Sequence, residues 1–459
     1  MEGHANSVED RLIDGLSFKL APGASYVQER KSVTFHPSGS NSYSSAGTKL
    51  IKLHITGDGW LDTSTFRVMF DLFNDDKTSE AKLLRPLGGP WCFLRRMRVL
   101  AGNQVIEDID GYNRVHEMFS TLTATDSRIN ASAESFGDYW NTRDTATIVL
   151  NPSTLTGIKG GQSQTVLFKP LSGLLGQSKM IPLRYCPITL EFELVNNPNI
   201  PILSSLVTTG TDTFTAANTS VSWSIANVQV KVDVCTLDNS LDNSYAEHLL
   251  SGKALPINFS TYVAQTQSLL SSADQGQQKI RLNVTRALSR LKSVFVTLEK
   301  TPDLTITADL PLYLGRKEWN NFYSPMQPYS KGAFNKFDSE GEFEFQLQLG
   351  SKLFSEYPIR SHAEAFYQLR KTLGVQSSTL HNFDIDSHEY RNWKFILGID
   401  MERVLEAGFT GINTRSGDIL SVRFDHKSAV SKDYATSMHI ILDADVILEI
   451  SDSGTQIFD

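Results

Sequence analysis

Cysteine is scarce in this chain: 459 residues include three, Cys92, Cys186 and Cys235. The number is odd, the spacings are wide and no CxxC pair occurs. Neither a disulfide framework nor a thiolate zinc site is indicated, and all three are expected as buried or half-buried free thiols. No run approaches the ~20 consecutive apolar residues that a membrane-spanning helix needs. The first residues, MEGHANSVEDRLID, lack the basic patch and apolar core of a secretory signal, so synthesis and folding in a reducing, intracellular compartment are expected. Without a secretory route, the sequons at Asn130, Asn218, Asn258 and Asn283 read as chance matches. Positive charge is not in excess either. A formal net charge of −8 and a pI near 5.7 argue against a sequence-independent nucleic-acid binder, and no direct sequence-specific nucleic-acid binding is expected.

The signatures of catalysis are missing as well. There is no GxSxG, no phosphate-cradling GxxxxGK[ST] and no GxGxxG; Gly252-Lys253 is followed by Ala254 and lacks the upstream glycine. Ile106–Glu117 has an EF-hand flavour through Asp108, Asp110, Gly111 and Glu117, but its first ligand position is Ile106, which offers no side-chain oxygen. A strand-to-helix cap is the expected role there. His116-Glu117 begins like HExxH, yet Ser120 stands where the second histidine is required. His381, Asp384, Asp386, His388 and Glu389 form the most ligand-like cluster, without fixing any coordination geometry; a solvated polar loop is the plainer reading. Arg95, Arg96 and Arg98, with Lys82 and Arg85, make the one basic concentration. It is expected as a solvated strand face or an ionic contact with a neighbouring subunit, with DNA contact as the lesser alternative. No catalytic, cofactor-binding or metal-binding residue is assigned.

What the chain does contain is alternation. Val228, Val230, Val232 and Val234 oppose Gln229, Lys231 and Asp233; Phe343, Phe345, Leu347 and Leu349 oppose Glu342, Glu344, Gln346 and Gln348. Ile51, Leu53 and Ile55 oppose Lys52 and His54, and Ile188, Leu190, Phe192 and Leu194 oppose Thr189, Glu191 and Glu193. Period two with one apolar face is the mark of antiparallel sandwich strands. Two short helices interrupt them. One places Tyr112, Val115, Phe119 and Leu122 on one face. The other spans Ser361–Leu373, with Ser361 and Glu364 as a capping box and Gly374 as its stop. Pro37–Thr48, Ser120–Gln164 and Ser204–Ser222 read as long surface loops, because strand patterns resume on both sides.

The order of strands, short helix and more strands occurs twice. The expected architecture is all-β: two tandem eight-stranded antiparallel jelly-roll sandwiches with short inserted helices and long loops. The expected boundaries are an N-terminal arm over 1–14, a first jelly roll over 15–238, a linker over 239–252 and a second jelly roll over 253–459.

Four segments carry a family resemblance. Arg85–Phe119 (RPLGGPWCFLRRMRVLAGNQVIEDIDGYNRVHEMF) resembles the first jelly roll of double jelly-roll viral major capsid proteins. The likeness is to the polinton-like virus, adintovirus and virophage type, with large nucleocytoplasmic DNA viruses more distant. Phe168–Leu194 is similar to that family's late first-domain strands. Phe395–Phe424, with Thr410-Gly411-Ile412-Asn413 and the Gly417-Asp418 turn, is similar to the late second-domain strands, and His439–Gly454 to the closing strand.

The resemblance implies a structural, non-enzymatic protein of a double-stranded DNA virus or virus-like element, without cofactors. Homotrimeric, pseudo-hexameric capsomers would tile an icosahedral shell, with neighbouring capsomers, penton and minor capsid proteins as partners and the virion as location. An internal membrane nearby is compatible with it. The arm, with Val8, Leu12, Ile13 and Leu16, is expected to dock beneath a neighbouring subunit or a minor shell protein. The alternative is a paired jelly-roll carbohydrate-binding or glycan-processing protein, which needs aromatics and carboxylates converging on one cleft.

Overall fold

The computed structural model describes residues 26–102, 104–136, 157–202, 219–269, 278–299, 322–325, 343–374, 385, 387–392, 394–403, 409–415, 418–426 and 435–459. In chain order the first ten strands are β1 (Val27–Phe35), β2 (Ser42–Tyr43), β3 (Leu50–Ile55), β4 (Trp60–Asn74), β5 (Leu94–Ala101), β6 (Gln104–Asp110), β7 (Ser163–Phe168), β8 (Ile181–Pro182), β9 (Ile188–Leu194) and β10 (Trp223–Leu237). They form two sheets, β1-β10-β4-β7 and β3-β9-β5-β6, with β2 and β8 as short additions to β10 and β4. Nine more follow: β11 (Leu255–Ser268), β12 (Gln278–Asn283), β13 (Leu291–Glu299), β14 (Phe343–Leu349), β15 (Lys352–Ile359), β16 (Ile396–Asp400), β17 (Leu420–His426), β18 (Ser437–Ser451) and β19 (Gly454–Phe458). These give β11-β18-β13-β16 and β12-β17-β14-β15, with β19 folded back on β18.

Counted by their eight principal strands, the two lobes have the same order, 1-8-3-6 in one sheet and 2-7-4-5 in the other. All the ladders between these strands are antiparallel. This is the jelly-roll path, in which two sheets close face to face and few edges stay open.

The alternating residues fill the space between sheets. Phe168 on β7 meets Phe192 on β9 across the first sandwich at 6.5 Å between ring centroids, and Phe93 meets Trp223 edge-on at 4.7 Å. In the second, Phe343 packs on Phe424 and Phe395 at 6.1 and 5.5 Å. Buried aromatic pairs of this kind add stabilisation beyond the area they remove from water.

Helices occupy the same place in each path, between the fifth and sixth principal strands. The first lobe has α1 (Tyr112–Thr121) and α2 (Thr125–Ser132) there. A single turn, α3 (Gly173–Gly176), follows β7. α4 (Asn239–Leu250) joins the lobes, and the second lobe carries α5 (His362–Thr372) and α6 (Ser387–Asn392). The stretch read from sequence as a linker, 239–252, thus holds a capped helix. Asp238 accepts from the Ser240 amide at 3.1 Å, and the Tyr245 ring packs at a tilt against Trp60 of β4, 4.8 Å between centroids. The loop expected over Ser120–Gln164 likewise begins with the end of α1 and with α2. Other parts of the expected surface loops, 137–156 and 203–218, lie outside the described residues, as does the N-terminal arm.

The cap at α5 has the anticipated serine half, while the glutamate reaches one residue beyond the N-cap. Ser361 Oγ accepts from the Glu364 amide at 3.2 Å, while the Glu364 carboxylate accepts from the Arg360 amide at 3.1 Å. Ser361→Ala is expected to cost about 1 kcal/mol in urea unfolding, the usual loss for a serine N-cap.

Candidate functional site at the seam between the lobes

The residues suggestive of metal or catalysis are engaged elsewhere. Asp108 takes a fork of hydrogen bonds from Arg96 at 2.7 and 2.5 Å, and Asp110 lies 3.5 Å from Arg95. Gly111, with φ of +62°, turns β6 into α1; this left-handed hinge stands where the EF-hand reading needed a ligand loop. Glu117 accepts from the Trp91 indole at 2.9 Å. His116 stacks on the same indole at 3.9 Å, faces the Lys169 carbonyl at 3.3 Å, and is pushed down to about 4 by burial. Ser120 brings no second ligand.

The basic concentration is paired with acidic side chains of the adjoining strands and of the loop after β4. Arg98 reaches Glu191 at 2.5 Å, Arg95 also lies 3.6 Å from Glu193, and Lys82 pairs with Asp76 at 2.8 Å. That is the solvated strand face with acidic partners, and Arg85 is buried. His381, Asp384 and Asp386 lie outside the described residues, and Glu389 pairs with Lys394 at 2.6 Å. Among the described residues, no three His, Cys, Asp or Glu side chains are grouped to hold a metal. Cys92, Cys186 and Cys235 are buried free thiols, Cys186 pushed up to about 12 by desolvation.

The chemistry that does converge lies where the first lobe meets the second, and Glu107 is its centre. Alternation along β6 would not bury adjacent residues, but a bulge between the Val99–Glu107 and Leu100–Val105 pairs changes the phase. Ile106 and Glu107 are both buried as a result, Glu107 being 1% exposed. Its carboxyl accepts from the Gly173 amide at 2.8 Å, the Leu174 amide at 3.3 Å and the Ser172 hydroxyl, all at the start of α3. From the second lobe, Thr261 on β11 donates to the same carboxyl at 3.1 Å. Burial raises its pKa, opposed by these hydrogen bonds.

Backbone contact is close there too. A Cβ on Gly173 would run into the Ser260 carbonyl of β11, whereas one on Gly176 would have nothing within 4 Å. Only glycine lets α3 lie this near the neighbouring strand.

α1 extends the seam. Phe119 packs on Tyr262 of β11 and Phe295 of β13, at 4.4 and 5.4 Å between centroids. Arg114, 6% exposed, donates to the Leu298 carbonyl at 3.0 Å and lies 5.0 Å over the Phe322 ring. Nearby, His439 approaches Glu299 at 3.0 Å. Burial would raise Glu299, but that hydrogen bond and the Arg114 charge bring it down to about 2. His439 itself is pushed down to about 4, by burial first and by Arg114 second. Asp443, opposite Tyr262 in register, is pushed up to about 7 by burial. Beside α1 and α2 a cavity of about 590 Å³ opens along the seam, lined in part by Trp91, Glu117, Phe119 and Tyr262.

No family model matches the chain, and no curated protein matches it significantly in sequence. Solved structures do match in fold. PBCV-1 VP54, as fitted into a reconstruction of the virophage Sputnik, is 12% identical with a TM-score of 0.61, over 96% of this chain and 99% of that one. A chain of the Sputnik virophage structure is 10% identical with a TM-score of 0.58, over 96% and 90%. The Faustovirus major capsid protein is 11% identical with a TM-score of 0.54, over 95% and 92%.

Two expectations follow from the seam. Gly173→Ala should cost about 3 kcal/mol or more through overpacking and speed hydrogen exchange in β6 and β11, while Gly176→Ala stays near neutral. The second concerns pH. His116, His362 and His439, all near 4 when folded, exclude a proton that the unfolded chain binds near ~6.5. Their contribution is full above that value and is lost as pH falls toward 4. Asp443 acts oppositely: its raised value penalises the folded state most above pH 7, and the penalty fades on acidification. Asp443→Asn should therefore steepen the acid loss of stability by about 1.4 kcal/mol per pH unit between ~4 and ~7, measured by urea unfolding. In architecture, this chain is a double jelly roll of the kind found in viral major capsid proteins.

Proposed function

We propose that this chain is the major capsid subunit of a double-stranded DNA virus or virus-like element, a structural protein rather than an enzyme. The observation that carries the reading is the seam: two lobes of identical strand order are joined side by side through buried polar and aromatic contacts. A subunit of that form presents two similar sandwiches in a fixed relation, which is what a shell block needs. Three copies in cyclic arrangement give six lobes around one axis, a pseudo-hexameric capsomer able to tile an icosahedral shell. The division into lobes at 15–238 and 253–459, with 239–252 as connection and 1–14 as an arm, belongs to this proposal. So do the partners, which are neighbouring capsomers, penton and minor capsid proteins, and the location in the virion shell. Among the described residues no helix is long and apolar enough to cross a membrane.

A second reading, a carbohydrate-binding or glycan-processing protein, is favoured only by the cavity beside α1. Its Trp91 and Glu117 are bonded to each other, and His116 stacks on Trp91. Light scattering on the purified chain separates the two. The capsid reading expects a species of three times the 51.1 kDa chain mass, stable to dilution, and unaffected by oligosaccharides. A monomer whose unfolding temperature rises with an oligosaccharide would replace it with the second reading.

A further inference from the structure

The outer face of the first lobe carries a row of positive charge with one weak acidic partner. Val230 of β10, Val68 of β4 and Phe168 of β7 stand abreast in register and are buried in the core. One step along each strand come Lys231, Arg67 and Lys169, which alternation sends to the opposite face. Lys231 and Arg67 are directly paired, and Lys169 follows the last pair of the β4–β7 ladder. Like charges set side by side across strands repel.

The Arg67 guanidinium is fixed by the Phe66 carbonyl at 2.9 Å and the Ser64 carbonyl at 3.3 Å. Its acid, Glu134, is 51% exposed and stands 3.8 Å away. Among the described residues, neither Lys169 nor Lys231 forms an ion pair. Burial first and the Arg67 charge second lower the Lys169 pKa.

Arg67 and Lys169 both line the seam cavity of about 590 Å³. The rest of its wall is mostly apolar, with Trp91, Phe119, Phe168 and Leu171 from the first lobe and Phe259 and Tyr262 from β11 of the second. Gly176 faces open space there, since a Cβ on it would meet nothing within 4 Å. The volume lies in the range of small-molecule pockets. The groups that would grip a sugar are already engaged: the Trp91 indole donates to Glu117 at 2.9 Å, and His116 stacks on its ring at 3.9 Å. What stays open is a pair of cations beside an apolar chamber.

We propose that this cavity binds a single-chain amphiphile with an anionic head, of the fatty-acid class. Its carboxylate would sit against Lys169 and Arg67, and its hydrocarbon body among Phe119, Phe168 and Tyr262. Because the walls come from both lobes, the bound molecule would act as a further clamp across the seam. It binds the folded chain alone and so stabilises it by mass action. The inference goes beyond the capsid reading and does not depend on it, since every residue of the site belongs to one chain.

Decanoate is the probe, titrated calorimetrically into the full chain below its micelle concentration. Acetate and decanol stand for the head and the body alone. One decanoate per chain should bind, ~10-fold or more tighter than either half, and should raise the unfolding temperature. Added salt should weaken decanoate and leave decanol unchanged. Lys169→Glu should weaken decanoate by ~10-fold or more without affecting decanol, while Lys279→Met on β12 changes neither. Gly176→Phe should fill the chamber and abolish decanoate binding. In the wild type, decanoate should slow hydrogen exchange in α1 and β11 together, a readout that requires no variant to fold. Decanol binding as tightly as decanoate, affinity untouched by Lys169→Glu, or exchange slowed in one lobe only would overturn the assignment. So would an acidic peptide that binds in preference to decanoate, which would make the cationic row a protein contact. A monomeric chain that still binds decanoate would defeat the capsid reading and leave this one standing.

Discussion

The buried carboxyl of Glu107 constrains everything around it, because its hydrogen-bond donors come from both lobes. α3 supplies two amides and a hydroxyl, and β11 of the other sandwich supplies Thr261. An acid group taken out of water is costly unless its acceptor positions are filled, and separating the lobes would remove the Thr261 hydroxyl from it, a hydrogen bond to a charged group being worth about 1.5–3 kcal/mol. The same separation would strip Phe119 from Tyr262 and Phe295, and Arg114 from the Leu298 carbonyl. Polar satisfaction and apolar burial thus act on one surface and oppose the same movement. The two sandwiches are held as one body by that agreement, and a body of fixed shape is what repeated assembly demands.

The two lobes share a path and differ in what their outer faces meet. On β10 the outward Lys231 and Asp233 stay at the surface side, and Arg30 bridges Asp233 and Asp62 at 2.7 and 2.6 Å. On the equivalent strand of the second lobe, β18, outward-facing Ile441 is fully buried and Asp445 is 5% exposed. Seam residues cover this face, and Asp443 rises in pKa for the same reason. The duplicated plan therefore carries a wet face on one copy and a covered face on the other, as two lobes side by side require.

Much of this was legible in the residues. The alternation at Phe343–Leu349 and Ile188–Leu194 marks real strands with the stated faces, and Ser361, Glu364 and Gly374 bound α5 as their chemistry implies. The seam was not legible, for local reasons. Glu107 sits at a bulge, and a bulge is a change of phase that the composition of β6 does not announce. Phe119 belongs to the apolar stripe of α1, and a stripe does not say which lobe it faces. α4 buries one residue, Leu249, so its apolar period is too faint to separate it from a linker. One signal was available: Ile440, Ile441 and Leu442 are consecutive apolar residues, where a strand wet on one face would alternate. That run marks β18 as covered on both sides.

Electron microscopy of the purified, native chain tests the central claim most directly. Class averages down the symmetry axis should show a three-fold ring of six similar lobes, with the spacing inside a chain matching the spacing between chains. Isolated two-lobed particles, or lobes that take variable positions relative to each other within one chain, would contradict the account.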